Sequence, residues 1–368
     1  MNTTVVEEAQ IPGMSTQSPE YVRLSLAAAM VLRASSGRFY RDVRLHCINL
    51  LLTYVGGCNA NCAYCGLSRA REGGSGEKSF IRVDWPTLAT DEVIARMVKY
   101  SAEVSRICVS MVSHRRAYED TVDIVRRIRR QVDAPVSALI AANLFDRGRL
   151  SEFRLLGVDT IGIGLDATSE AVFERVRGGR AKGSLSWRQY WQVIEEARAI
   201  FGPFKVNAHL VVGVGETDRE LMSVVARLCK LEVNSYLFSF YPEAESPMAR
   251  RVRPALRRYR RIQLAKYLME KGLLGAADIS YNDASRIAYL SLSPALIEQA
   301  IATGEPFLTG GCSGRDGSLA CTRPFGSYRP GEPFRDFPFQ PTEEDMVRVR
   351  RDLGWSLLKE YTDGQERL

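Results

Sequence analysis

The 368-residue sequence predicts an α/β fold built around a parallel sheet. Three observations predict it. Short apolar runs rich in β-branched residues recur along the chain. Each is followed by a segment with apolar residues at helical spacing, and that alternation is the pattern of successive βα units. The third observation is a cysteine triplet, Cys58, Cys62 and Cys65, placed directly after the first apolar run at 48–55. Loops that follow parallel strands gather at one mouth of the sheet, where chemistry is done.

Taken in order, residues 1–17 read as a disordered or loosely attached tail. Over 18–34, Tyr21, Leu24, Leu26, Ala27 and Val31 fall at helical spacing, with Ser18, Pro19 and Glu20 as cap and first turn. A helical extension is therefore expected over 18–45. A strand then runs into the cysteine loop, and a Gly-rich loop follows at 73–76. Helix and strand next alternate: helix 90–101, strand 106–112, helix 117–131, strand 135–141, helix 146–156 and strand 160–165. Helical stretches between 169 and 200 precede strand 205–213, helix 218–230, strand 235–241 and helix 256–271. With 48–55 these make six strands, and 276–280 reads as one that extends the sheet. The barrel region spans 46–283. A C-terminal extension, 284–368, holds a long Gly/Pro-rich loop at 310–341 and a terminal helix.

Composition narrows the function classes. Apolar content of 45% and charged content of 25% are ordinary for a globular protein. No run of eighteen apolar residues exists, so no membrane span is expected. The N-terminus is polar, with Glu7 and Glu8 and no apolar core of a secretory signal. A cytoplasmic location is expected, where eight cysteines stay reduced. The net charge is +7, with arginine runs at 126–130 and 250–261. Those runs read as solvated helix faces or as a surface for an acidic partner. Basic runs here are not interleaved with aromatic residues, so no nucleic-acid groove is expected.

The cysteine triplet carries the chemistry. Its spacing is C-x3-C-x2-C, within a loop running from Tyr54 to Ser68. Three thiolates on a cubane iron–sulfur cluster leave one iron without a protein ligand, open to a substrate or cofactor. A structural zinc site or three unrelated buried thiols are the alternatives. Zinc usually takes two C-x2-C knuckles or a Cys pair with a His pair, and no second knuckle lies nearby.

The triplet, with Tyr64 directly before its last cysteine, resembles the radical S-adenosylmethionine (SAM) enzymes. That resemblance implies a [4Fe-4S] cluster whose open iron chelates SAM, an electron donor, SAM cleavage and removal of a hydrogen atom from substrate. It also implies a partial (β/α)6 TIM-like barrel. Strand alternation alone fits a doubly wound open sheet equally well.

Further residues join the resemblance. Gly213, Val214, Gly215, Glu216 and Thr217 end a strand and open a helix. Such glycines either admit a ligand to the backbone or simply make a turn. In context they resemble the strand end of biotin synthase that lines SAM. Asp166 resembles the position whose carboxylate contacts the SAM ribose, and it also reads as a helix N-cap before 168–172. The segment 241–247 follows the sixth strand, at the mouth, within reach of SAM or substrate. His46, His114 and His209 read as hydrogen-bonded barrel residues. Cys229 reads as a core thiol, and Cys47 has no assignment.

Cys108, on the second strand, resembles a biotin synthase cysteine that binds an auxiliary cluster. The two partner positions there fall near Ala138 and at Asn207, so that ligand set is not intact. Cys312 and Cys321 appear instead in the C-terminal loop, read either as packed thiols or, with Cys108, as ligands of a second [4Fe-4S] cluster across the mouth from the first. Ser327 and Arg329 are candidates for its fourth ligand. The stretch 321–331 resembles the C-terminal motif of two-component lipoyl synthases, with a longer insertion between Cys312 and Cys321. This implies a second radical SAM protein as partner and an octanoylated lipoyl domain or peptide as substrate. It also implies sulfur insertion at an unactivated C–H bond, with the sulfide drawn from the second cluster.

Overall fold

A computed structural model describes residues 16–71, 78, 83–323 and 333–354. The chain opens with β1 (Tyr21–Leu24) and α1 (Leu26–Val31), followed by β2 (Cys47–Leu52), β3 (Thr87–Ala89) and α2 (Thr90–Lys99). The repeating part follows as β4 (Arg106–Ser110), α3 (Ala117–Gln131), β5 (Val136–Ile140), α4 (Arg147–Leu155), β6 (Val158–Asp166), α5 (Glu170–Val176), α6 (Trp187–Phe201), β7 (Val206–Val212), α7 (Asp218–Lys230), β8 (Asn234–Ser239) and α8 (Leu256–Glu270). A hairpin of β9 (Ile279–Tyr281) and β10 (Ile287–Leu290), then α9 (Pro294–Ala302) and α10 (Glu343–Leu353), complete it.

The strand order is β3-β1-β2-β4-β5-β6-β7-β8. From β2 to β8 every pairing is parallel and every step goes the same way. A doubly wound sheet reverses direction partway; this one does not, so the architecture is that of the partial barrel. Ile48, Ile107, Val109, Val136, Ala138, Ile161, Ile163, Val206 and Ala208 are fully buried, as strands covered on both faces require. The surrounding helices form where the sequence supplies one apolar stripe. On α3, Tyr118, Val122, Val125 and Ile128 are buried on one side. On α7 the start is fixed by a capping box between Thr217 and Glu220.

Two expectations are corrected. The stretch 18–34 is not one helix. Its first half is β1, which pairs antiparallel with β2 through Val22 and Leu52 and with β3 through Val22 and Leu88. Ser18 Oγ instead accepts from Thr53 N at 3.1 Å, tying the start of β1 to the end of β2. Ser25 is the residue that caps the short α1. Tyr21, Val22 and Leu24, set between two neighbouring strands, gain more from pairing than from a helix of the same length. The stretch at 276–280 does not extend the sheet either. Asn282 Oδ1 accepts from Ala284 N and Arg286 N, turning the chain back so that β9 pairs with β10 in a separate hairpin. Ser327, Arg329 and most of the 1–17 tail lie outside the described residues.

Candidate functional site

The Cys58–Cys62–Cys65 loop leaves β2 at the C-terminal end of the sheet and is pinned on several sides. Asn59 N donates to Ser113 O beyond β4 at 2.7 Å, and Ala63 N donates to Val176 O of α5 at 2.8 Å. Asn61 clasps the loop: its Oδ1 accepts from Ser68 Oγ at 2.9 Å and Ala70 N at 3.0 Å, and its Nδ2 donates to Ala181 O at 2.6 Å. The three thiols face a cavity of about 260 Å³. Burial pushes the Cys65 and Cys58 thiols up, so without a cation they stay protonated. A bound metal reverses this by stabilising the thiolate.

Tyr64 and Asp166 line the same cavity. Tyr64 OH donates to Asp166 Oδ2 at 2.5 Å. Asp166 ends β6 with φ of 61°, at a register shift against β7. A non-glycine residue in that conformation carries strain that a site or its neighbours must support. Asp166 is not a helix cap, because Ser169 Oγ caps α5. Arg177 stands beside it, with Nη1 at 3.3 Å from Asp166 Oδ2 and Nη2 donating to Tyr190 OH at 3.1 Å. The Arg177 Nε is buried and has no hydrogen-bond partner among the described residues. An unsatisfied buried donor costs free energy unless a ligand supplies the acceptor. Three thiols beside the Tyr64–Asp166 pair in one cavity suit a cluster with one open iron. Sequence reasoning missed Arg177, since nothing in its neighbourhood sets it apart from a surface arginine. Tyr241 and Glu243, in the segment expected at the mouth, also line the cavity.

The glycine segment after β7 lies outside the lining of this cavity. On β7 the cavity lining consists of His209 and Val211 and does not extend to Gly213, Gly215 or Glu216. Gly213 and Gly215 have φ of 113° and 121°. A Cβ on Gly213 would lie 2.8 Å from Pro254 and 2.9 Å from Phe240, so this turn needs glycine. The buried Glu216 carboxylate accepts from Gly213 N at 2.8 Å and Gly215 N at 3.0 Å and pairs with Arg258 at 2.5 Å. Glu216 holds the turn shut.

Cys108, Cys312 and Cys321 come together, but not across the mouth as expected. They meet at the N-terminal end of the sheet, where the segment 312–321 folds back under the barrel. Cys321 N donates to Cys312 O at 3.2 Å, and His46 N donates to Ala320 O at 3.2 Å. Arg106, buried at the start of β4 and forked onto Asp159 at 2.7 and 2.8 Å, donates to Ser313 O at 2.5 Å. The buried Cys47, at the start of β2, faces the same group. Its interaction with Cys321, with burial added, pushes the Cys47 thiol up, and the same interaction draws Cys321 below the usual thiol range. Asn207 Nδ2 donates to Cys312 Sγ at 3.2 Å, and Asn49 Nδ2 lies 3.5 Å from Cys47 Sγ and 3.9 Å from Cys321 Sγ. Cys229 on α7 stands apart from both groups.

The two thiol groups share one lumen. Asn49 and Leu51, Cys108 and Ser110, and Asn207 and His209 are pairs two residues apart on β2, β4 and β7. Residues so spaced face the same way. The first of each pair belongs to the lower group, and the second lines the upper cavity. The step between them is about 7 Å along a strand. Among the described residues no three His, Cys, Asp or Glu side chains converge to hold a single metal ion. A cubane spreads its thiolates over separate irons, so its ligands stand farther apart than those of one ion.

Comparison with known proteins agrees with this geometry. Residues 52–228 match the radical SAM superfamily. The biotin synthase of Magnetococcus marinus is 23% identical over 210 residues, covering 56% of this chain and 60% of that protein. The chain thus spans less than two thirds of the length of this relative. Among solved structures, the FeFe-hydrogenase maturase HydG from Carboxydothermus hydrogenoformans is 15% identical with a TM-score of 0.47, covering 89% of this chain and 70% of that one. The radical SAM methyltransferase TsrM from Kitasatospora setae is 14% identical with a TM-score of 0.40, covering 87% of this chain and 53% of that one. Both scores are too low to bear on chemistry, and the fold assignment rests on strand order and the family match. No helix among the described residues is long and apolar enough to cross a membrane.

Proposed function

We propose that the chain is a radical SAM sulfurtransferase, one component of a two-protein lipoyl synthase. Its substrate is an octanoyl group attached to a lipoyl domain or peptide, and its partners are a second radical SAM protein and an electron donor of the cytoplasm. The observation that carries the reading is the pair of thiol groups along one lumen: Cys58, Cys62 and Cys65 above, and Cys108, Cys312 and Cys321 below.

Sulfur insertion needs two reactive centres on either side of one carbon. Cys58, Cys62 and Cys65 hold the first cluster, and Cys108, Cys312 and Cys321 contribute to the second. When bound, the first cluster with SAM supplies hydrogen-atom removal from an unactivated C–H bond, and the second supplies sulfide. Tyr64 and Asp166 form the polar wall that receives the SAM ribose, and Arg177 braces Asp166. Leu51, Leu139, Val211 and Phe238 line the lumen with apolar surface that suits a fatty acyl chain and keeps water away.

The test is anaerobic turnover on an octanoylated carrier peptide, alone and with a candidate partner, read by mass spectrometry. A thiolated peptide together with 5'-deoxyadenosine is expected. 5'-Deoxyadenosine without thiolated peptide in either arm would point to a mutase or a cofactor maturase. No SAM cleavage at all would point to an iron–sulfur carrier.

A further inference from the structure

The lower thiol group contains one more cysteine than the proposed function uses. Cys47 is the first residue of β2, and its neighbour in register on β4 is Arg106, two residues before Cys108. Its side chain is fully buried. Its Sγ lies 3.5 Å from Asn49 Nδ2, which is also 3.9 Å from Cys321 Sγ; Cys108 is the register partner of Asn49, and Cys321 N donates to Cys312 O at 3.2 Å. Four sulfurs from β2, β4 and the 312–321 segment therefore surround one spot at the bottom of the lumen. Two amides face the same spot, Asn49 Nδ2 towards Cys47 and Cys321 and Asn207 Nδ2 towards Cys312.

Packing alone does not account for this arrangement. Buried cysteines usually behave as small apolar side chains among other apolar side chains. Here thiols meet thiols, and amide N–H groups are directed at sulfur rather than at oxygen. Amide donors to sulfur are what an anionic iron–sulfur cluster draws from its surroundings, because they stabilise the charge spread over its sulfurs. Asn207 stands where the biotin synthase pattern places a cysteine, and Cys312 from the C-terminal segment brings its sulfur to that place instead.

We propose that Cys47 is the fourth thiolate of the lower site, so that Cys47, Cys108, Cys312 and Cys321 together hold one [4Fe-4S] cluster with Asn49 and Asn207 donating to its sulfurs. The inference rests on the second-cluster reading above and completes its ligand set. Ligation takes the proton from each thiol and leaves four thiolates for four corner irons. The upper site, with three cysteines, keeps an open iron for SAM; the lower site has none.

The test removes the upper cluster by Cys58→Ala, Cys62→Ala and Cys65→Ala together in the full chain. Iron, acid-labile sulfide and electron paramagnetic resonance are then measured after anaerobic reconstitution. About four irons per chain are expected. Adding Cys47→Ala should lower this to about three or fewer and replace the cubane signal with that of a three-iron cluster. Adding Cys229→Ala instead should change nothing. Cys47→Ala in the otherwise unaltered chain should keep the upper cluster and its SAM binding, which shows that the fold is intact. If it does not, Cys47→Val, which fills the buried position and cannot bind iron, is read in its place. Four irons and an unchanged signal with Cys47 replaced would overturn the inference while leaving the second cluster in place. No iron in the upper-cluster variant would overturn the second cluster itself, and this inference with it.

Discussion

Asn207 donates its side-chain amide to Cys312 Sγ at 3.2 Å, joining the barrel strand β7 to a segment more than a hundred residues later in the chain. Two positions along the same strand, His209 lines the cavity faced by Cys58, Cys62 and Cys65. One strand face therefore links the two groups of sulfur on which the proposed chemistry depends.

If that amide serves a cluster, its removal should be felt electronically more than structurally. Asn207→Leu is expected to keep the lower irons while lowering the reduction potential of the lower cluster. One lost hydrogen bond is about 1 kcal/mol, on the order of 40 mV for a one-electron couple. An anaerobic redox titration followed by electron paramagnetic resonance measures the shift.

The upper site makes a separate prediction. Cys62→Ala should reduce iron from about eight to about four per chain and abolish reductive SAM cleavage. Iron analysis and chromatography for 5'-deoxyadenosine check both parts on one preparation.

Asp166→Asn keeps the shape of the carboxylate and removes its charge beside Tyr64 and Arg177. SAM affinity is expected to fall about tenfold, the worth of one charged hydrogen bond, with iron content unchanged. Equilibrium binding of SAM to the reconstituted protein measures it.

Glu216 should behave in the opposite way. Its carboxylate is spent on Gly213 N, Gly215 N and Arg258, so Glu216→Ala is expected to destabilise the fold by ~3 kcal/mol. SAM affinity in the folded fraction should stay within about twofold. Thermal denaturation and SAM binding on the same variant separate the two roles.

His209 gives a pH dependence with a definite sign. Burial, with Arg323 adding to it, pushes its pKa down to about 3. The unfolded chain binds that proton near pH 6.5 and the folded chain does not. Stability is therefore full above about pH 6.5 and is lost as pH falls towards 3, by about 2 kcal/mol at pH 5. His209→Phe should flatten the decline in denaturation midpoint between pH 7 and pH 5.

Much of this architecture is legible in the chain because the signals are local. The capping box of Thr217 and Glu220 and the apolar stripe of α3 fix their helices from within a few turns. The C-x3-C-x2-C triplet is likewise contained in one loop. β1 was not legible, because four residues are too few to carry a periodicity and their state is decided by β2 and β3 on either side. The role of Glu216 was hidden for a related reason: its sequence context looks like a ligand-binding turn, and only Arg258, over forty residues on, shows the carboxylate to be occupied. Cys108, Cys312 and Cys321 could be grouped from sequence, but not placed at one end of the barrel. That depends on contacts such as the one between Asn49 and Cys321, 272 positions apart.

The central claim is that the lower group of thiols carries the sulfur given to a substrate activated from above. The most direct measurement is to reconstitute the chain with a heavy isotope of sulfide and remove the excess. The protein is then turned over once on an octanoylated peptide with its partner, and the product is weighed. Thiolated peptide carrying the heavy isotope is expected. Thiolated peptide carrying only light sulfur, or SAM cleavage with no sulfur in the peptide, would contradict it.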